Sequence, residues 1–321
     1  MTPHSISSSP LAAPVLALSL ALSLFFTSNV SSAFASTKLA QTPVEAAPTG
    51  DFTTDGDKPS NQDKKEVEDF LASLEGSWNR HELEAVMGNY ADDYINNDGI
   101  DKGTVKGLTS EFWKTYPDAK INSTIKSVRA EGAYAVVDTS DIAFGTTATE
   151  YPSINSKGEL QSVSEGRLYL KKIGGSWKII GDRIDFEKVK VSFGLAKQLK
   201  ASFVAPEQIR SGKQFAAKID VSLPPGLHAI GSIANQPLKY PQGKPQETPR
   251  PFEGTGTLER VMNANAENCN ELLTARVLLT NPARDKVLGL SVFTRRLNVI
   301  PEHKPESVIG EGEKTVVKAQ E

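Results

Sequence analysis

The chain has 321 residues, 38% of them hydrophobic and 23% charged, with a formal net charge of −3. That is enough apolar material for one large core or two ordinary ones. The near-neutral balance and scattered Lys and Arg argue against a phosphate-tracking nucleic-acid surface, and equally against attraction to an anionic membrane. Cys269 is the single cysteine, which excludes an intramolecular disulfide, and its neighbourhood NANAENCN holds no base to activate a thiolate.

Leu11 to Phe26, LAAPVLALSLALSLFF, is apolar but too short and too interrupted for a comfortable membrane span, and Ala33-Phe34-Ala35 follows as a small-x-small site. The pattern predicts a signal peptide over 1–35, cleaved after Ala35, and hence an exported chain, periplasmic or extracellular, with no stable span after cleavage. No Lys or Arg precedes the run, so a retained anchor is the alternative. Residues 36–62 are poor in large apolar side chains and rich in Thr, Pro, Asp and Gly, which predicts a flexible linker. Residues 301–321 are charged and read as a disordered tail.

From Asp63 the spacing changes. Val67, Phe70, Leu71, Leu74 and Trp78 form the apolar stripe of one helix, and Leu83, Val86, Met87 and Tyr90 that of a second. Asn79 with Glu82 resembles a capping pair between them. A third helix around Leu108, Phe112 and Trp113 should stop at Pro117. Then INSTIKSVRA, AYAVVDTSDIAFGT, SVSEGRLYLKKI and SWKIIGDRIDF read as β-strands joined by turns at Glu131-Gly132, Asn155 to Gly158 and Gly174-Gly175.

The tracts VEDFLASLEGSWNRHELEAVMGNYADDYINNDG, KGLTSEFW and GRLYLKKIGGSWKI resemble the nuclear transport factor 2-like superfamily, which includes SnoaL-like polyketide cyclases and ketosteroid isomerase. The resemblance covers 63–193. It implies a conical α+β domain, three helices on a curved antiparallel sheet, with a pocket between the layers and often a homodimer through the outer sheet face. Enzymes and plain binding domains share this fold.

The aspartate-rich stretch from Tyr90 to Gly103 is the natural place to look for chemistry. As a calcium loop turning at Gly99 it would need ligands at Tyr94 and Val105, which cannot supply them, and the four histidines are far apart, so no metal is expected. The resemblance to ketosteroid isomerase puts Asp98 at the general-base position, but Phe70 stands where its tyrosine belongs and Arg167 about where its second acid belongs. Asp98 then reads as a turn residue, a ligand contact paired with Arg167, or a base. Arg167 and Tyr169 share one strand face and Leu168 and Leu170 the other. Tyr90, Tyr94, Asp98, Trp113, Arg167 and Tyr169 are the candidate ligand-binding residues, and Asp98 is the catalytic residue if there is one. No cofactor is implied.

Residues 197–300 alternate at Phe215, Ala217, Ile219, Val221 and Leu223, with further strand-like runs at LLTARVLLT and KVLGLSVFTRRLNVI. This predicts an all-β, immunoglobulin-like sandwich in architecture only, since the cysteine pair and its tryptophan are lacking. A proline-rich stretch, 237–252, is expected to cover an edge strand. The combined expectation is a noncatalytic binding module. The first pocket takes a small molecule or peptide, and the sandwich mediates assembly or contact with an envelope protein. The alternative is a cofactor-free isomerase, cyclase or hydrolase working through Asp98.

Overall fold

A computed structural model describes residues 61–301 except Lys244 and residues 253–255. The signal peptide and nearly all of the expected linker and tail lie outside the described residues.

The helical periodicity produces α1 (Asn61–Asn79), α2 (Leu83–Gly88) and α3 (Lys102–Thr115). Val67, Leu71, Leu74 and Trp78 of α1 are all buried, as one helical stripe requires. Asp101 caps α3 by accepting from the Thr104 amide at 2.7 Å, and Tyr116, before Pro117, closes it. Asn79 does not cap α2. Its side chain instead makes two bonds with the backbone of Ile121, tying the end of α1 to the first strand.

Four long strands follow: β1 (Lys120–Glu131), β2 (Tyr134–Tyr151), β3 (Ser156–Ile173) and β4 (Ser176–Gly194). Gly174 and Gly175 have φ of 59° and 81°, the two left-handed positions of a tight hairpin, which glycine adopts without strain. After a 3-10 turn, Leu195–Gln198, come β5 (Lys200–Val204), β6 (Gln208–Arg210), β7 (Gln214–Ser222), β8 (His228–Pro237), β9 (Arg250–Pro251), β10 (Thr257–Asn263), β11 (Glu271–Thr280) and β12 (Val287–Ile300).

The structure corrects the expected architecture of a conical α+β domain followed by a separate sandwich. Among the described residues strands far outweigh the three α-helices, and strands from both segments join one nine-stranded sheet. Its order is β1-β2-β3-β4-β12-β11-β8-β9, antiparallel throughout, with β6 pairing parallel to β12. The joint is β4 against β12, from Gly194 opposite Gly289 to Lys188 opposite Arg295. The physical reason lies in β11 and β12, which are buried on both faces and therefore belong in the middle of a sheet.

Two cores use opposite faces of this shared sheet. On one face α1 to α3 pack over β1 to β4, and Leu290 and Val292 of β12 and Leu272 of β11 extend the same cluster. On the other, Phe293, Leu297 and Val299 alternate away to meet the small sheet β10-β7-β5, whose Phe203, Phe215, Ala217 and Ile219 fill the second core. The proline-rich stretch runs along β8 at the far edge, with Glu247 2.9 Å from Arg276 and β9 paired to β8.

Candidate functional site

The inner face of the long strands is not uniformly apolar. Ser123, Asp141, Ser164 and Glu187 are successive cross-strand partners on β1, β2, β3 and β4, so the register sets them in one row beneath the helices. Asp141, Ser164 and Glu187 are each at most 3% exposed. Asp141 Oδ2 accepts from Thr139 at 3.1 Å, while Asp141 Oδ1, Ser164 Oγ and Glu187 Oε1 find no hydrogen-bond partner among the described residues. Burial lifts the Asp141 carboxyl to about 6 against the pull of neighbouring hydroxyls, and lifts Glu187 to about 8 against the Arg296 charge.

A bulge at Asp185 keeps Asp182 and Glu187 on this same face, although their spacing is odd. Asp182 accepts a hydrogen bond from the Tyr94 hydroxyl, and its Oδ1 has no partner among the described residues. Burial raises Asp182 to about 7, outweighing the Tyr94 bond, and the nearby Asp98 charge adds to the rise.

Asp98 closes the cluster. Arg296 grips both of its oxygens at 2.8 Å, and the Asn270 side chain donates to Oδ1 at 2.8 Å. The side chains of Arg296 and Asp98 are 0% and 3% exposed. Burial works against the Arg296 charge, but Asp98, bonded to it, and the two further acids hold its pKa above the usual value. Each piece is positioned locally. Asn96 accepts from the amides of Asp98 and Ile100, shaping the loop around Gly99, where φ is 78°. Asn265 similarly folds the loop ahead of Asn270 by accepting from the amides of Glu267 and Cys269. Burial pushes the Cys269 thiol up, the opposite of activation.

Of the six residues singled out in sequence, Tyr90, Tyr94 and Asp98 fall in this region. The two tyrosine rings meet edge to face at 4.9 Å. Trp113 lies elsewhere, stacked on His81 at 4.8 Å and edge-on to Trp78 at 5.6 Å. Arg167 is not the partner of Asp98. Leu168 and Leu170 take the inner face, which sends Arg167 and Tyr169 to the outer one, and Arg167 bonds Asp138 there at 2.8 Å. The inner row and Arg296 were missed. A polar residue on the buried parity of each of four paired strands was the available signal for the row, but only the register aligns them. Nothing local marked Arg296.

No protein-family profile matches the sequence, and no curated protein is significantly similar to it. Among solved structures, Bd1075 of Bdellovibrio bacteriovorus is 13% identical over 38% of this chain with a TM-score of 0.32, and this chain spans only 41% of it. A protein of the NTF2-like family from Streptomyces avermitilis is 12% identical over 38% of this chain and 93% of its own, with a TM-score of 0.30. The hexachlorocyclohexane dehydrochlorinase LinA-type3 from Novosphingobium barchaimii LL02 is 13% identical over 39% of this chain and 88% of its own, also at 0.30. At such identities and scores no chemistry is carried across from these structures.

Proposed function

We propose that this chain is an exported, noncatalytic binding protein whose interior, between the helices and the long strands, takes a small polar molecule. The observation that supports it is the register row of Asp141, Ser164 and Glu187, each with a buried polar atom unpaired among the described residues. A buried polar group left unpaired costs about 1–3 kcal/mol, so several in one row make sense if a ligand with hydroxyl or amide groups pairs with them. The clasp around Asp98 supports the noncatalytic part, because both carboxylate oxygens are already engaged by Arg296 and Asn270. Native mass spectrometry of the full chain, purified gently from its own host, tests the reading. An extra mass that disappears in Ser164→Val or Glu187→Leu is expected; a bare protein mass in every preparation counts against it.

A second reading is a cofactor-free isomerase, cyclase or hydrolase. The observation favouring it is that burial brings Asp182 and Glu187 to about 7 and about 8, near the pH where a carboxyl can both give and take a proton. On that reading Glu187→Gln keeps the bound mass but lowers turnover of that compound by about 10²-fold or more.

A further inference from the structure

The outer face of the shared sheet carries two cross-strand rows. Phe144, Gln161, Lys190 and Phe293 are successive partners from β2 to β12, and so are Ile142, Val163, Lys188 and Arg295. Ile142, Phe144 and Val163 are exposed at 54%, 50% and 42%, a continuous apolar strip rather than scattered singles. Where the rows reach β4 a groove of about 300 Å3 opens, walled by Val163, Lys188, Lys190 and Phe293 and by Ala201 to Val204 of β5.

A strand shows alternate residues to either face, so a groove touched by four consecutive residues runs along the edge of β5 rather than under it. That edge is open. The small sheet runs β10-β7-β5, and β7 is the single strand partner of β5 among the described residues. An unpaired edge beside an apolar strip is a template for another strand unless it is blunted.

The groove floor is cationic. Lys190 sits 5.8 Å over the Phe293 ring and reaches only the Leu199 carbonyl, at 3.4 Å, with no carboxylate in ion-pair range among the described residues. Burial lowers its pKa, and no acid offsets that. Lys188 lies 5.0 Å over the Phe186 ring, and Glu207, the acid whose field reaches it, is itself 3.2 Å from Arg295.

We propose that the free edge of β5 accepts an extended peptide of a partner protein as a fourth strand, one whose sheet-facing side chains are apolar and acidic. Main-chain hydrogen bonds to β5 hold it. Its apolar side chains cover Ile142, Phe144 and Val163, and its carboxylates face Lys188 and Lys190. This face is opposite to the buried row of Asp141, Ser164 and Glu187, so the proposal stands or falls independently of the interior ligand.

The test is an amide NMR titration of the full, nitrogen-15-labelled chain with two synthetic octapeptides, one alternating valine with glutamate and one alternating valine with lysine. Saturable shifts centred on Ala201 to Val204 are expected with the glutamate peptide alone. The double variant Lys188→Glu, Lys190→Glu should weaken binding by about tenfold or more. Of Ser202→Pro and Phe203→Pro, the one whose amide points away from β7 should abolish it while the rest of the spectrum stays folded. Four outcomes overturn the proposal: no saturation up to millimolar peptide, equal binding of the lysine peptide, binding that both prolines leave intact, which marks a small amphipathic anion instead, and shifts of the same amides on concentrating the protein alone, which mark a second copy.

Discussion

Arg296 holds Asp98 through two parallel hydrogen bonds of 2.8 Å although 198 residues separate them. One end of the pair sits on β12 and the other in the loop between α2 and α3, so it locks the helical layer to the middle of the shared sheet. The geometry is the bidentate fork that only arginine provides.

The two halves of this pair should not be equally replaceable. Arg296→Met leaves Asp98 buried beside Asp182 and Glu187 with no cation, and should cost about 3–5 kcal/mol. Asp98→Asn should cost less, because Glu187, freed of the Asp98 charge, can ionise against Arg296. Urea unfolding of both variants checks the order, and a larger loss for Asp98→Asn would contradict it.

Stability should fall as pH rises through neutrality. Asp182 and Glu187 titrate at about 7 and about 8 when folded, above their ordinary values of 3.8 and 4.5, so the folded state binds more protons than the unfolded one. Their penalty is absent below about pH 4, grows as the unfolded carboxyls ionise, and is complete once the folded ones follow near pH 8. Each tenfold gain in proton affinity on folding adds about 1.4 kcal/mol to the penalty. Unfolding free energies at pH 5 and pH 8.5 measure it. In the double variant Asp182→Asn, Glu187→Gln the difference between the two pH values should shrink, and an unchanged difference would refute the assignment.

At the joint of the sheet, Gly289 opposes Gly194, and a β-carbon on Gly289 would lie 2.5 Å from the Ala196 nitrogen. Gly289→Ala must therefore push the 3-10 turn away from β12, with a loss of about 1–3 kcal/mol. Thermal unfolding reads this directly. Gly107→Ala is the matched control, since nothing lies within 4 Å of a β-carbon there and α3 should gain slightly.

Arg167→Ala should be nearly silent, at or below about 1 kcal/mol. The Arg167 and Asp138 side chains remain 33% and 27% exposed, so solvent screens the pair. A loss comparable to that of Arg296→Met would mean that the outer face supports more than this ion pair.

What the sequence determined by itself was local. The stripe from Val67 to Trp78, the stop at Pro117 and the hairpin glycines Gly174 and Gly175 specify helices and turns through short-range sterics, and the structure places those elements there. Period-two alternation likewise marked β1 to β4 and β7, because one-sided burial leaves its mark residue by residue. Pairing between distant strands leaves no such mark. That β12 docks on β4, that Arg167 points outward while Arg296 meets Asp98, and that Ser123, Asp141, Ser164 and Glu187 fall in one row are matters of register across the sheet. Only tertiary structure decided them, because a strand pattern says which residues share a face but not which neighbour that face will meet.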